Sequence, residues 1–84
     1  NVAPAEVEAV LAAHPDVVDA AVVGRPDPEW GEALVALIVG AADPDDLRDF
    51  CRERLARFKV PKAFETVQEL PRTASGKLIR TALA

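Results

Sequence analysis

Cysteine and histidine are almost absent from this chain, since Cys51 and His14 are the single representatives among 84 residues. An internal disulfide is therefore impossible, and these two side chains cannot assemble a metal cluster. The lack of disulfides fits a reducing, cytoplasmic compartment. The longest apolar run, residues 33–42, is about half the length that spans a bilayer. We therefore expect no transmembrane segment, and we expect no signal peptide.

Aromatic residues are also scarce, with one Trp, three Phe and no Tyr, and the formal net charge is −4. Both properties argue against nucleic-acid binding. The charge is unevenly distributed, because residues 1–51 carry two basic and eleven acidic side chains, whereas residues 52–84 carry eight basic and three acidic ones. The dipole of a preceding helix accounts for part of this basic excess. The rest favours an anionic small ligand such as a nucleotide or coenzyme A.

Apolar periodicity predicts two principal helices. The first covers residues 4–14, with Pro4 in the first helical position. The second begins at Asp43 and Pro44. Its apolar stripe is formed by Leu47, Phe50, Cys51, Leu55 and Phe58. Cys51 is therefore interpreted as a small buried hydrophobe.

Three short apolar segments predict strands. Residues 17–24 and 33–40 flank a turn and predict an antiparallel pair, and their near-continuous apolarity predicts cover on both faces. Residues 63–69 predict a third strand, parallel to the second because a right-handed crossover through a helix joins them. A terminal helix from about Gly76 would close the domain. The predicted fold is α+β, a small three-stranded mixed sheet flanked by helices in one domain, residues 1–84.

The stretch LPRTASGK at residues 70–77 is the strongest candidate for a chemical role. A helix that starts at Ser75 and Gly76 would place Lys77 in its first turn, where a cation is disfavoured by roughly 0.3–1 kcal/mol. Gly76 permits unusual backbone angles, and Pro71 stiffens the approach. One interpretation is a loop that presents a single ammonium group to an anion. On spacing alone, a solvated surface lysine after a turn is equally acceptable.

Four blocks in this order resemble the small C-terminal subdomain of the acyl-adenylate-forming enzymes: residues 1–17, 19–32, 55–62 and 70–80. This superfamily includes acyl-CoA synthetases, peptide-synthetase adenylation domains and firefly luciferase, and the resemblance covers the whole chain. It implies that Lys77 is the adenylation lysine, which reaches the substrate carboxylate and the α-phosphate. Ser75 and Gly76 would then belong to the adenylation loop.

The same resemblance implies a coenzyme A face. In coenzyme A ligases similar to this chain, the residues at Trp30 and Phe58 line the path of the coenzyme. Lys62 follows Pro61 on a short rigid segment, which would allow its ammonium group to meet a coenzyme phosphate. The residues alone allow a core or a ligand interpretation of Trp30, and they favour the core for Phe58. Val60 stands where some family members carry arginine, so one charge for the coenzyme nucleotide is missing.

Other charged residues are given no catalytic role. Lys59 is interpreted as a solvated helix end. Arg72 and Arg80 either raise the positive potential near the loop lysine or pair with acidic surface groups. Three carboxylates of the predicted turn are interpreted as solvated: Asp27, Glu29 and Glu32.

The function implied by the resemblance is that of the mobile C-terminal lid of an acyl-CoA synthetase for a fatty acid or another carboxylate. ATP and the carboxylate give an acyl-adenylate and pyrophosphate, and the thiol of coenzyme A then displaces AMP. Magnesium is expected as the counter-ion of ATP, not bound by this domain. The expected partner is the large N-terminal domain, without which the chain is expected to be inactive.

The segment that carries Lys77 also resembles a site of regulation. Residues 71–77 match the pattern at which similar bacterial synthetases are acetylated, so a lysine acetyltransferase is expected to act on Lys77. An adenylation domain or a luciferase-type member of the superfamily remains an alternative. A small regulatory or partner-binding α+β domain without chemistry is the other.

Overall fold

The structure is a computed structural model that describes residues 3–83. Within this range the elements follow one another as α1 (Pro4–Ala12), β1 (Val17–Asp27), β2 (Gly31–Gly40), α2 (Pro44–Arg54) and β3 (Ala63–Thr66). Short 3₁₀ helices lie at Arg57–Lys59 and Arg80–Leu83. No helix within the described range is long and apolar enough to cross a membrane.

The three strands form one mixed sheet in the order β1, β2, β3. β1 and β2 are antiparallel, with Val17 opposite Gly40, and β3 runs parallel to β2. These directions confirm the prediction. The hairpin strands extend further into the turn than predicted, and β3 is shorter because it ends at Thr66.

Local signals position both α-helices. Pro44 occupies the first turn of α2. The Asp43 carboxylate accepts hydrogen bonds from the backbone N–H groups of Asp45 and Asp46, which satisfies unpaired donors at the start of the helix. α1 begins at Pro4 as predicted but ends at Ala12, two residues early. The reason is that Pro15 disfavours helical angles at the residue before it.

Both faces of the sheet are covered, as its apolar strands predict. On one face α1 and α2 form the main core, in which the largest buried side chains are Val7, Leu11, Val22, Ile38, Leu47 and Cys51. Cys51 is fully buried, which confirms its interpretation as a core residue. On the other face Leu70, Leu78 and Leu83 pack against Ala21 and Leu37. The C-terminal segment is therefore a covering layer laid across the sheet.

The predicted terminal helix from Gly76 is wrong. Arg72 and Leu78 instead form an isolated antiparallel bridge, and the segment ends in the 3₁₀ helix that begins at Arg80. Leu78 and Leu83, whose spacing suggested a helical face, cover the second face of the sheet. Lys77 consequently does not lie in the first turn of a helix.

The core interpretation of Phe58 is also wrong. α2 ends at Arg54, and Leu55 already has an extended backbone. The chain then turns through the 3₁₀ helix at 57–59, so that Phe58 is 68% exposed. Lys59 is not a solvated helix end, because its ammonium group binds the Glu6 carboxylate at 2.9 Å.

Candidate functional site

Lys77 lies at the end of a tight loop, residues 73–77, which we call the Lys77 loop. The Thr73 N–H donates to the Lys77 carbonyl at 2.8 Å, and the Gly76 N–H donates to the Thr73 carbonyl at 2.9 Å. The Thr73 hydroxyl accepts a third bond from the Lys77 N–H at 3.1 Å. Gly76 has φ of +89° with open space around it, so its backbone angle, rather than crowding, favours glycine here.

Two arginines attach the segment around this loop to the rest of the domain. Arg72 makes a bidentate pair with Asp19 on β1, at 2.6 and 2.8 Å. Arg80 donates to the Glu8 carboxylate at 2.9 Å and to the Val22 carbonyl at 3.2 Å. Of the two roles that the sequence allowed for these arginines, pairing with acidic groups is the one observed.

The Lys77 side chain itself is exposed, as is Ser75, whose hydroxyl lies 3.0 Å from that of Thr73. No carboxylate of residues 3–83 lies within ion-pair distance of the Lys77 ammonium group. The loop therefore presents a cation whose neighbours Arg72 and Arg80 are already paired. Such an arrangement suits contact with an anion brought from elsewhere.

A second group of candidates surrounds Asp27, at the turn between β1 and β2. One oxygen of its carboxylate accepts from the N–H groups of Glu29 and Trp30, at 2.9 and 3.0 Å. The other oxygen accepts from the Lys62 ammonium group at 2.6 Å. Trp30 is 70% exposed, so the domain does not use it as a core residue.

Asp27 is the residue whose importance sequence reasoning missed. Its side chain is only 14% exposed, and the hydrogen bond from Lys62, followed by those from the backbone, holds the pKa of this carboxyl below its ordinary value. The signal was present, because an aspartate followed by a proline commonly accepts from backbone N–H groups two and three residues later. Asp27 thus joins the turn at residues 28–30, which we call the Trp30 turn, to the segment that carries Lys62.

A basic groove adjoins Lys62. Its volume is about 610 Å³, and it is lined by Arg48, Arg52, Leu55, Arg57, Val60, Pro61 and Lys62. The dipole of α2 was expected to account for part of the arginine excess, but three arginines line this one groove. Arg48 and Arg52 are four residues apart, a spacing that places them on one helical face. Cationic side chains are therefore present around Val60 although Val60 is uncharged.

The two groups of candidates lie at opposite ends of β1. The Lys77 loop is attached through Arg72 to Asp19, whereas the Trp30 turn begins at Asp27. Eight residues separate these two positions on a continuous strand, which corresponds to about 26 Å at roughly 3.3 Å per residue. The two groups are therefore anchored at well-separated positions on β1.

A metal site in this domain would need several ligand side chains close together. Among residues 3–83, no three His, Cys, Asp or Glu side chains are grouped so that they could hold a metal ion. Magnesium as the counter-ion of ATP stays a prediction.

Comparison with known proteins identifies the domain. Residues 6–77 match the model of the AMP-binding enzyme C-terminal domain. The chain is 52% identical to 2-succinylbenzoate–CoA ligase of Bacillus licheniformis over 99% of its own length and 18% of that protein. It also superposes on a fatty acyl CoA synthetase of Mycobacterium tuberculosis with a TM-score of 0.94 and 38% identity, covering 99% of this chain and 17% of the other.

A third relative is named for a different reaction, the formation of an amide bond. The amide bond synthetase of Marinactinospora thermotolerans is 44% identical, with a TM-score of 0.89, and the match covers 99% of this chain and 18% of that one. The chain belongs to the AMP-binding enzyme C-terminal domain family, and its α+β fold is that of the C-terminal subdomain of adenylate-forming enzymes. It spans about 18% of the length of the curated relatives that it matches.

Proposed function

We propose that this domain is the C-terminal lid of an AMP-forming acyl-CoA ligase, in which a large N-terminal domain supplies the remaining 80% or so of the enzyme, as the coverage of the relatives suggests. The observation that carries the proposal is that an exposed cation, Lys77, with no carboxylate of residues 3–83 at ion-pair distance, and an exposed face around Trp30 and Lys62 are anchored at separate positions on β1. A domain of this family built in this way suits two successive steps that use different faces.

In the first step, Lys77 binds the reacting carboxylate and the α-phosphate of ATP. Negative charge grows on these groups as the acyl-adenylate forms, and an ammonium group placed in advance stabilises that charge. A contact near 4 Å at an effective dielectric of about 20 is worth on the order of 4 kcal/mol, or roughly a thousandfold in rate. Ser75 and Gly76 shape the loop that presents the amine.

In the second step, the lid rotates and presents the face that contains Trp30, Phe58 and Lys62 to coenzyme A. The two exposed aromatic rings offer apolar surface to the pantetheine or the adenine. The ammonium group of Lys62 exchanges the Asp27 carboxylate for a phosphate of the coenzyme. The basic groove beside it supports the nucleotide phosphates in place of the charge that Val60 lacks.

The acid that is activated belongs to the part of the enzyme outside this domain. Relatives act by name on 2-succinylbenzoate and on fatty acids, so the proposal specifies a carboxylic acid, ATP with its magnesium counter-ion, and coenzyme A. A cytoplasmic enzyme is the setting in which these substrates and a free cysteine fit together.

A second candidate is an adenylate-forming enzyme whose acyl acceptor is an amine. It is favoured by the 44% identity to an amide bond synthetase and by the uncharged Val60. The acceptor distinguishes the two candidates, because the Lys77 step is shared and the Trp30–Lys62 face would not be needed to hold a nucleotide.

The half-reactions of the complete enzyme test the proposal. Lys77→Ala should slow acyl-adenylate formation by roughly a thousandfold while conversion of supplied acyl-adenylate and coenzyme A to the thioester stays nearly normal. Lys62→Ala should show the opposite pattern. Arg54, whose guanidinium group lies over the Phe50 ring at the end of α2, provides a control, because Arg54→Ala removes a cation that belongs to neither group of candidates and should leave both steps close to normal.

Equal slowing of both steps by Lys77→Ala would show that this lysine is a general binding or structural residue. It would overturn the proposal that the lid uses one face for each step. Transfer of the acyl group to an amine but not to coenzyme A would favour the second candidate. Failure of the domain to restore adenylate formation to a large domain that lacks its lid would favour a regulatory domain without chemistry.

A further inference from the structure

We propose that Asp19 and Arg72 form a positioning device for Lys77, a clamp that fixes the Lys77 loop to strand β1 in its working geometry. The inference rests on the proposed function, because it assumes that Lys77 acts in adenylate formation. It goes further by assigning a role to two residues that do not touch the substrate. Asp19 and Arg72 are positioning residues, and they act only through the placement of Lys77.

The clamp is built around one guanidinium group. Its Nε and Nη2 atoms donate to the two oxygens of Asp19, at 2.8 and 2.6 Å, and its Nη1 atom donates to the Gly76 carbonyl at 2.8 Å. Gly76 directly precedes Lys77. A single planar group therefore connects a residue of the central hairpin to the peptide unit that carries the reactive lysine.

The loop transmits this attachment to the Lys77 backbone. The Thr73 N–H and hydroxyl bind the Lys77 carbonyl and N–H, and Arg72 and Leu78 close the loop by an antiparallel bridge. The Lys77 backbone is thus held on both sides while its side chain stays exposed. From Asp19 to Asp27, β1 is continuously paired with β2, although the register shifts between Val17 and Asp19. The clamp therefore attaches the Lys77 loop to the central hairpin.

Bidentate geometry distinguishes this partly exposed pair from a single-bond surface contact. The side chains of Asp19 and Arg72 are 30% and 34% exposed, and a hydrogen bond from Arg72 holds the pKa of the Asp19 carboxyl below its ordinary value. The pair also neutralises a cation that would otherwise compete with Lys77 for the substrate anion. Lysine could not replace Arg72, because a single ammonium group does not reproduce the planar fork of donors.

The functional consequence follows from geometry. A displacement of about 1 Å at a catalytic group commonly costs on the order of 100-fold in rate, and the loop is otherwise a short exposed segment on the surface of the domain. Loosening the clamp should therefore impair the step that uses Lys77. It should spare the step that uses the other end of β1, about 26 Å away along the strand.

Four substitutions in the complete enzyme test the clamp: Asp19→Asn, Arg72→Gln, Arg72→Lys and Arg25→Gln. Arg25→Gln is the matched control, because Arg25 forms a 2.6 Å pair with Glu65 from β1 to β3 and makes no hydrogen bond to the Lys77 loop within residues 3–83. Asp19→Asn and Arg72→Gln should slow acyl-adenylate formation by roughly 10- to 100-fold, with thioester formation from supplied acyl-adenylate within about twofold of the unaltered enzyme.

Two further readouts separate positioning from charge. Amide exchange of residues 73–77 should become at least about tenfold faster in Asp19→Asn and Arg72→Gln, and it should be unchanged in Arg25→Gln. Arg72→Lys keeps the charge but loses the simultaneous bonds to Asp19 and Gly76, so it should resemble Arg72→Gln in adenylate formation and in exchange.

Three results would overturn the clamp. The first is adenylate formation within twofold of normal in Asp19→Asn, and the second is full rescue by Arg72→Lys. The third is equal slowing of both half-reactions together with a melting temperature below that of Arg25→Gln, which would show a structural role alone. In each case the unaltered enzyme still forms acyl-adenylate. Its failure to do so would instead reject the proposed function and the clamp with it.

Discussion

Replacing Trp30 with alanine distinguishes the two interpretations that the sequence allowed for this residue. Because Trp30 is 70% exposed, Trp30→Ala should change the free energy of unfolding by less than about 0.5 kcal/mol. A tryptophan that belonged to the core would cost about 3–5 kcal/mol. The stability of this chain therefore indicates whether the ring is available to a ligand.

The exposed area also sets the expected effect on thioester formation. A tryptophan side chain offers about 250 Å², so 70% exposure leaves roughly 175 Å² accessible. If coenzyme A covers half of that area, about 90 Å² is removed from water, worth about 2 kcal/mol at roughly 25 cal/mol per Å². Thioester formation should then be about 30-fold slower in the variant.

Urea unfolding of this chain gives the stability, and rapid-quench measurements on the complete enzyme give the rate of each half-reaction. Glu29→Ala is the matched control, since Glu29 lies in the same turn and its side chain is exposed. The reasoning is refuted if Trp30→Ala costs more than about 2 kcal/mol of stability while Glu29→Ala costs none. Equal slowing of both half-reactions would refute it as well.

Three other predictions concern the core, the clamp and regulation. Leu11 is fully buried, so Leu11→Ala should lower the free energy of unfolding of this chain by about 2–5 kcal/mol. Val18 is 79% exposed, so the control Val18→Ala should cost less than about 0.5 kcal/mol. Equal costs of the two substitutions in urea unfolding would contradict the assigned core. The pKa of the Asp19 carboxyl is lowered by Arg72, so the stability that it contributes should be complete above the unfolded value of about 3.9 and should be lost as the pH falls through the lower folded value. Asp19→Asn should flatten this part of the pH dependence, and an unchanged slope would count against the pair. Finally, a protein acetyltransferase should modify Lys77 and stop adenylate formation in the complete enzyme; mass spectrometry that finds other lysines modified and Lys77 untouched would reject this.

Elements with strong local signals were predictable from the sequence. α2 begins where Asp43 and Pro44 provide a cap and a first helical residue, and the two apolar segments around a proline-containing turn form the antiparallel hairpin. Each of these signals lies within a few residues of the structure that it specifies. The unusual backbone angle of Gly76 was predictable in the same way, since this glycine adopts a positive φ, whereas the helix predicted to start there is absent.

The fate of apolar residues with ambiguous spacing was not predictable. Leu78 and Leu83 fit a helical face, yet they cover the second face of the sheet from a bridge and a 3₁₀ helix. Phe58 continues the stripe of α2 in spacing but is exposed because the helix has already ended. For Leu78 and Leu83 the partner surface decides the conformation, and that surface exists only after the sheet has formed.

The sequence by itself determined that this chain is an α+β domain with a basic second half and a candidate lysine in a glycine-containing loop. Only the tertiary structure decided which charges are neutralised and which are free. Arg72 pairs with Asp19 across 53 residues of sequence, and Lys62 pairs with Asp27 across 35. Ten cations and fourteen anions allow many such pairings, and the energy of each depends on distances and burial that arise only when the strands, the turn and the covering segment are packed together.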